Sequence, residues 1–174
     1  MIIWDLSEGK RMLDSGTVMV GEATCIHRLK QHLGKVQDLS FSPNNGYLSS
    51  IGGQDDNTIV VWDVESGVAI CGSPAASDSA ICCKWLNDRN DRLVTAGNYH
   101  IRVWQIDFGL PKLHAMDCKL GSVRRVFVSI AIDNTDRVAY LGTTTGDVIK
   151  VSIDRNEILS FKDPDVTVPQ MIGI

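Results

Sequence analysis

A chain of 174 residues with 44% hydrophobic and 22% charged content is long enough to bury the core of one ordinary domain and too apolar to read as disordered. A net charge of −4, from 17 Lys and Arg against 21 Asp and Glu, argues against a nucleic-acid or anionic-membrane surface, which needs clustered cations. No apolar run reaches the roughly 18 residues of a membrane-spanning helix, no secretory signal opens the chain, and five cysteines without a C-x-x-C spacing read as a reduced intracellular protein with buried thiols.

Taken in chain order, "MIIWDL" (Met1–Leu6) opens on a β-branched run ending in Trp4, and Ser7 to Cys25 reads as an insertion. The pair Lys10–Arg11 within it, like Arg124–Arg125 later, reads as solvated side chains. "VQDLSFSP" (Val36–Pro43) is a strand closed by the turn "SPNNG". "YLSSIGGQDDNTIVVW" (Tyr47–Trp62) is two strands broken at Gly52-Gly53 and Asp55-Asp56-Asn57. Its second half continues as "TIVVWDV", apolar at consecutive positions rather than alternating, so that strand must be covered on both faces. The pattern then returns twice. "AICCKWL" (Ala80–Leu86) precedes "RLVTAGNYHIRVW" (Arg92–Trp104), which breaks at Gly97-Asn98; "VRRVFVSIAI" (Val123–Ile132) precedes "VAYLGTTTGDVIKV" (Val138–Val151), which breaks at Thr144–Asp147. Gly, Asn and Asp at these breaks tolerate the positive φ that tight hairpins require. Cys82 and Cys83, adjacent on a strand, are expected on opposite faces. Helical periodicity is absent, and the fold class is all-β.

Trp104 follows Trp62 by 42 positions (104 − 62), and Val151, in the tryptophan-less echo "GDVIKV", follows Trp104 by 47 (151 − 104). A repeat of about 40–45 residues with four short strands per unit is what a β-propeller blade needs. The chain therefore reads as a single unit (1–174), a partial arc of about three complete blades plus incomplete strands at both ends. Residues 1–6 form the last strand of a truncated blade and 7–31 an insertion and connecting strand. Blades span 32–70, 71–107 and 108–153, and 154–174 is a connecting strand or tail. Propellers close with roughly four to eight blades, and an open arc exposes apolar faces and strand edges. A fragment, short isoform or divergent short form is expected, one that needs a partner chain or missing blades.

These units resemble WD repeats. His32 stands where the histidine of the family's Gly-His pair would be, Asp56 lies six residues before Trp62, and Ser50 or Ser49 is the nearest strand hydroxyl. The resemblance implies a hydrogen-bonded chain of His, Ser, Asp and Trp that locks a blade, in keeping with the need of a buried Asp for donors. In the next unit Asn98 takes the Asp position before Trp104, without a partner His; the fourth unit keeps neither a Trp nor a clear His.

"ICGSPAA" (Ile70–Ala76), "TAGNYHIRVW" (Thr95–Trp104) and "YLGTTTGDVIKV" (Tyr140–Val151), in that order and spacing, resemble a ciliary family. It is the cilia- and flagella-associated WD-repeat family found among the inner proteins of axonemal doublet microtubules. The likeness covers roughly Asp38 to Ser152, and the family's members are much longer. It implies a structural scaffold of the ciliary or flagellar axoneme, a microtubule inner protein bridging tubulin and neighbouring inner proteins, located in the cytoplasm within the cytoskeleton.

Chemistry-bearing motifs are weak by comparison. His27, His32, His100 and His114 lie at no spacing used by structural zinc sites, and His100, beside a hairpin turn, reads as exposed. "QDDN" (Gln54–Asn57) lacks the rest of a calcium loop and reads as a turn. "GTTTGD" (Gly142–Asp147) lacks the Lys-Ser/Thr of a phosphate loop. No nucleophile elbow or H-E-x-x-H occurs. The small residues of "CGSPAA" could admit another chain, but Gly and Pro there favour a tight inter-blade connector. The reading is a non-enzyme with no catalytic residue, metal, cofactor, nucleic acid, membrane or small-molecule substrate. The alternatives are a generic cytosolic WD-repeat adaptor, or a truncated form with no independent function.

Overall fold

The computed structural model describes residues 1–5, 10–12, 18–20 and 24–162, and every regular element among them is a strand. Two small pairs come first: β1 (Ile2–Asp5) pairs with β4 (Thr24–Arg28), and β2 (Lys10–Met12) with β3 (Val18–Val20). Three four-stranded antiparallel sheets follow, each in chain order. The first holds β5 (Val36–Phe41), β6 (Tyr47–Gly52), β7 (Thr58–Asp63) and β8 (Ala69–Pro74). The second holds β9 (Ala80–Trp85), β10 (Arg92–Gly97), β11 (His100–Asp107) and β12 (Lys112–Asp117). The third holds β13 (Phe127–Ile132), β14 (Val138–Thr143), β15 (Val148–Ser152) and β16 (Glu157–Lys162). The first strand of the second sheet, β9, lies against both β5 and β13. The three sheets thus stand face to face as consecutive blades of an open, partial propeller.

The doubly apolar strands of the sequence are explained by this stacking. On β7, Ile59 and Val61 face the second blade and join Trp85, Leu93 and Trp104 in one buried cluster. Val60 and Trp62, on the other face, pack with Leu48 of β6 and with Leu29 and Ile3 from the half-blade side. A third cluster between the second and third blades holds Val94, Ile101, Val103, Phe127, Leu141 and Ile149. Cys82 belongs to that cluster and Cys83 to the preceding one, so the adjacent thiols do sit on opposite faces. Hydrogen bonds cross the blade junctions as well. The Cys83 N–H donates to Asp38 Oδ2 at 2.8 Å, Trp85 Nε1 donates to the Ser40 carbonyl at 2.9 Å, and Asn87 donates from both nitrogens to Asp136 Oδ1 at 2.8 Å.

The sheets run past the divisions that the repeat suggests. β8, β12 and β16 lie across or beyond 70/71, 107/108 and 153/154, yet each pairs with the strand before it. These fourth strands sit on the outer edge, partly wet, and lack the β-branched run ending in tryptophan, so periodicity does not mark them. Pro74, without an N–H, is tolerated at the end of such an edge strand. A second correction concerns Ile2–Asp5. It is not the last strand of its blade, because β4 pairs beyond it. β1 corresponds to β7, and both carry a register shift just before their tryptophan. The insertion within 7–31 contributes the β2/β3 pair; residues 6–9, 13–17 and 21–23 of it, and 163–174 of the C-terminal stretch, lie outside the described residues.

Candidate functional site

The polar groups chosen from the sequence converge at the β6–β7 turn. Trp62 on β7 sits opposite Leu48 on β6, and Ser50 lies two residues further along β6. Trp62 Nε1 donates to Ser50 Oγ at 2.8 Å, and Ser50 Oγ meets His32 Nε2 at 2.7 Å. The other ring nitrogen of His32 bonds Asp56 Oδ2, whose second oxygen accepts from Thr58 Oγ1 at 3.1 Å. The proton directions follow from chemistry. A carboxylate only accepts, so His32 Nδ1 carries a proton; with the ring neutral, Nε2 accepts from the serine hydroxyl, and that hydroxyl oxygen accepts from the indole. One unbroken chain thus joins a core tryptophan to a turn carboxylate, with the His32 and Asp56 side chains both 5% exposed. Gly52 is needed for this geometry, since a Cβ there would meet Asp56 Oδ2 at 2.1 Å. Of the two serines left open by spacing, Ser50 joins the chain. Ser49 instead donates to the Ser40 carbonyl and lies 3.7 Å from Cys83 Sγ.

The second blade keeps only the inner half of this arrangement. Trp104 Nε1 donates to Thr95 Oγ1 at 2.9 Å, and Leu93 sits opposite Trp104, repeating the Leu-x-Ser/Thr spacing of β6. Thr95 is the residue that sequence reasoning missed; its equivalence to Ser50 is visible once the strands are aligned on their tryptophans. Asn98 does not take up the role of Asp56. The β10–β11 hairpin closes with Gly97 opposite His100, a shorter turn than that of the first blade, and His100 meets the Asn98 carbonyl rather than its side chain. Asn98 instead bridges to Val126 of the next blade and donates to Asp78 at 3.4 Å.

The third blade solves the same problem differently. Asp147 is buried, and Arg125 Nε donates to its Oδ2 at 2.5 Å, with Thr145 Oγ1 at 3.2 Å. The expectation of a solvated Arg124–Arg125 pair is therefore corrected for Arg125: a buried carboxylate needs a charged donor, and Arg125 is within reach.

His100 is also corrected from exposed to half-buried. Its Nδ1 donates to the Asn98 carbonyl at 3.1 Å, its Nε2 is enclosed without a hydrogen-bond partner, and burial holds its pKa below the ordinary histidine value. It lines a half-open pocket of about 250 Å³ with Tyr99, Arg102, Asp117, Cys118 and Arg124. Tyr99 there adopts φ +59° and is half exposed. Arg102 forks onto Asp117 and reaches the Ala75 carbonyl. Ala75 and Ala76, from the small-residue connector, are buried, so that segment admits the next blade of the same chain. Burial pushes the thiol of Cys71 up to about 11 and those of Cys82 and Cys118 up to about 12. Such thiols are poor nucleophiles. Among the described residues, no group of three His, Cys, Asp or Glu is placed to hold a metal ion.

Comparison with known proteins bears on both fold and role. Residues 23–63 match the family described as WD domain, G-beta repeat. The chain is 46% identical over 155 residues to cilia- and flagella-associated protein 52 of Chlamydomonas reinhardtii, covering 89% of this chain and 23% of that protein. Against the Homo sapiens protein of the same name, identity is 42% over 140 residues, covering 79% of this chain and 22% of that one. The chain thus spans less than a quarter of the length of these relatives. Among solved structures, the β-propeller domain of Myceliophteria thermophila Cps50 (Swd1) superposes with a TM-score of 0.67 at 16% identity, covering 79% of this chain and 44% of that one. At that identity the likeness speaks for the fold alone.

Proposed function

We propose that this chain, whose residues 23–63 match the WD domain, G-beta repeat family and which is similar over most of its length to cilia- and flagella-associated protein 52, is a structural scaffold of the ciliary or flagellar axoneme. In this reading it is a microtubule inner protein that bridges tubulin and neighbouring inner proteins. The observation that carries the proposal is the 46% identity sustained over 89% of the chain.

The structure supports such a role in three ways. Stacked sheets with cross-blade hydrogen bonds make a stiff body, while the loops between strands are free to vary and contact partners. The buried polar groups serve turns rather than a reaction centre: His32, Ser50, Asp56 and Trp62 act as a lock on one blade. Trp104 with Thr95, and Arg125 with Asp147, hold the next two. The net charge of −4 places binding to an acidic partner such as tubulin on shape and local contacts rather than on bulk attraction.

The test is retention. Epitope-tagged chain is expressed in a ciliated cell, axonemes are isolated and washed in high salt, and the retained fraction is measured. Retention through the wash is the expected result. Intact, soluble chain absent from the axoneme would overturn the proposal in favour of a cytosolic adaptor or a form without independent function.

A further inference from the structure

The half-open pocket of about 250 Å³ lies where the β10–β11 turn of the second blade meets the connector from β12 to β13. All of its lining falls within residues 77–124, inside the run of complete blades. Tyr99 sits at its rim in a strained conformation. Among the described residues five non-glycines have positive φ, and four of them (Asn45, Asn57, Asp136 and Asn156) are the Asn and Asp that tolerate it. Tyr99, at φ +59°, is the fifth. Its N–H donates to the Arg125 carbonyl at 3.0 Å, which holds this backbone across the blade junction. Its ring is half exposed, so core packing does not account for a bulky side chain there. Backbone strain of this kind gathers at ligand clamps.

The charged groups of the pocket differ in how far they are already committed. Arg102 is fully engaged: Nε and one terminal nitrogen fork onto Asp117, and the other donates to the Ala75 carbonyl at 3.0 Å. His100 adds no charge near neutral pH, because burial disfavours its cationic form. Asp78 lies outside the lining and accepts from the Ser79 N–H and the Asn98 amide. Arg124 is different. It is exposed, and among the described residues its guanidinium has no hydrogen-bond or ion-pair partner. Its backbone is nonetheless fixed, between the Leu120–Val123 turn and the Tyr99–Arg125 bond.

We propose that this pocket receives one carboxylate side chain, Asp or Glu, of a partner polypeptide, with Arg124 as the recognising cation and Tyr99 as the rim that covers it. One uncommitted guanidinium matches one negative charge, and the neighbouring Asp117 disfavours a dianion such as a phosphate. The small volume and open mouth suit a side chain inserted from a larger chain, since sites that enclose a free small molecule commonly measure about 300–1,000 Å³. Tyr and Arg are also favoured anchors of protein interfaces. The inference stands on this geometry and not on a ciliary role, so its failure leaves the axonemal reading untouched.

The test titrates the whole chain, ¹⁵N-labelled at arginine, with the peptide acetyl-Ala-Glu-Ala-amide. The expected result is a saturable shift of the Arg124 Nε–H signal. Arg124→Gln should weaken binding roughly tenfold, as loss of a charge-assisted hydrogen bond predicts. Arg137→Gln, at an exposed arginine of the β13–β14 turn at the other end of the third blade, should leave binding unchanged. Tyr99→Gly should weaken binding about threefold yet raise the melting temperature, because glycine adopts positive φ without strain. Absence of a saturable shift overturns the proposal, as does a Gln-for-Glu peptide that binds equally well. Equal weakening by Arg124→Gln and Arg137→Gln, or undiminished binding by Tyr99→Gly, overturns it too. Glutarate binding as tightly as the peptide would assign the pocket to a free small carboxylate and likewise overturn it.

Discussion

The half-blade and the first complete blade carry nearly the same tryptophan strand and treat it in opposite ways. Trp62 is enclosed and hydrogen-bonded, while Trp4 is half in solvent. Their local sequences, Ile2–Asp5 and Val60–Asp63, do not account for the difference. What differs is the neighbourhood. Trp62 has β6 beside it and the half-blade over it, whereas among the described residues the strand paired with β1 is β4. A β-branched strand ending in tryptophan is therefore only an invitation to burial; the adjacent strand and the adjacent blade complete it.

The largest expected effect follows directly. Trp62→Ala should cost about 4 kcal/mol, in the range of large-to-small core substitutions, while Trp4→Ala should stay within about 0.5 kcal/mol, as exposed positions do. Denaturant unfolding of the two variants checks this, and equal losses would break the comparison. Next is Arg125→Ala, which leaves the Asp147 carboxylate buried without its cation. A loss of about 3 kcal/mol is expected, at the lower end for a broken buried pair because Arg125 is itself partly exposed. Adding Asp147→Asn should recover part of it.

Ser50→Ala removes the acceptor of the Trp62 indole and the partner of His32 Nε2 together. A loss of about 1–2 kcal/mol is expected, with a shift of the Trp62 indole signal and none at Trp104, which has its own hydroxyl partner. Thiol labelling at pH 8 sharpens the contrast without a stability measurement. Cys25, on β4 of the half-blade, is partly exposed, whereas Cys71, Cys82, Cys83 and Cys118 are buried in or beside the complete blades. One thiol should react at least about tenfold faster than the rest, since reactivity follows access and thiolate fraction.

The smallest effect concerns pH. Burial depresses the folded pKa of His100 below its ordinary value of 6.5. The unfolded chain therefore binds this proton first as pH falls. Its contribution to stability is fully present above about 6.5 and is lost progressively as pH drops through and below that value. His100→Asn should flatten this part of the melting-temperature profile between pH 8 and pH 5.

Much of the fold was legible because it repeats. Doubly apolar strands at a spacing of about 40–45 residues have few homes other than stacked blades, and the Gly, Asn and Asp breaks fall at the observed hairpins. The fourth strand of each blade was harder to see. Half wet and at an edge, β8, β12 and β16 carry no strong pattern, and β8 ends in a proline. His32, Asp56 and Trp62 could be picked out because they stand where the resemblance to WD repeats expects its His, Asp and Trp. Thr95 and the Arg125–Asp147 pair could not, since a threonine among β-branched residues and an arginine beside another arginine are indistinct until the partner is placed.

Composition and periodicity by themselves determined that this protein is all-β and blade-built, because backbone pairing and two-sided burial depend on residue pattern alone. Only the tertiary structure decided which serine meets the indole, which arginine is drawn to a buried carboxylate, and which tryptophan remains in solvent. Those outcomes rest on distances between strands far apart in the chain, and a hydrogen bond or a buried ion pair exists only when both partners arrive at one place.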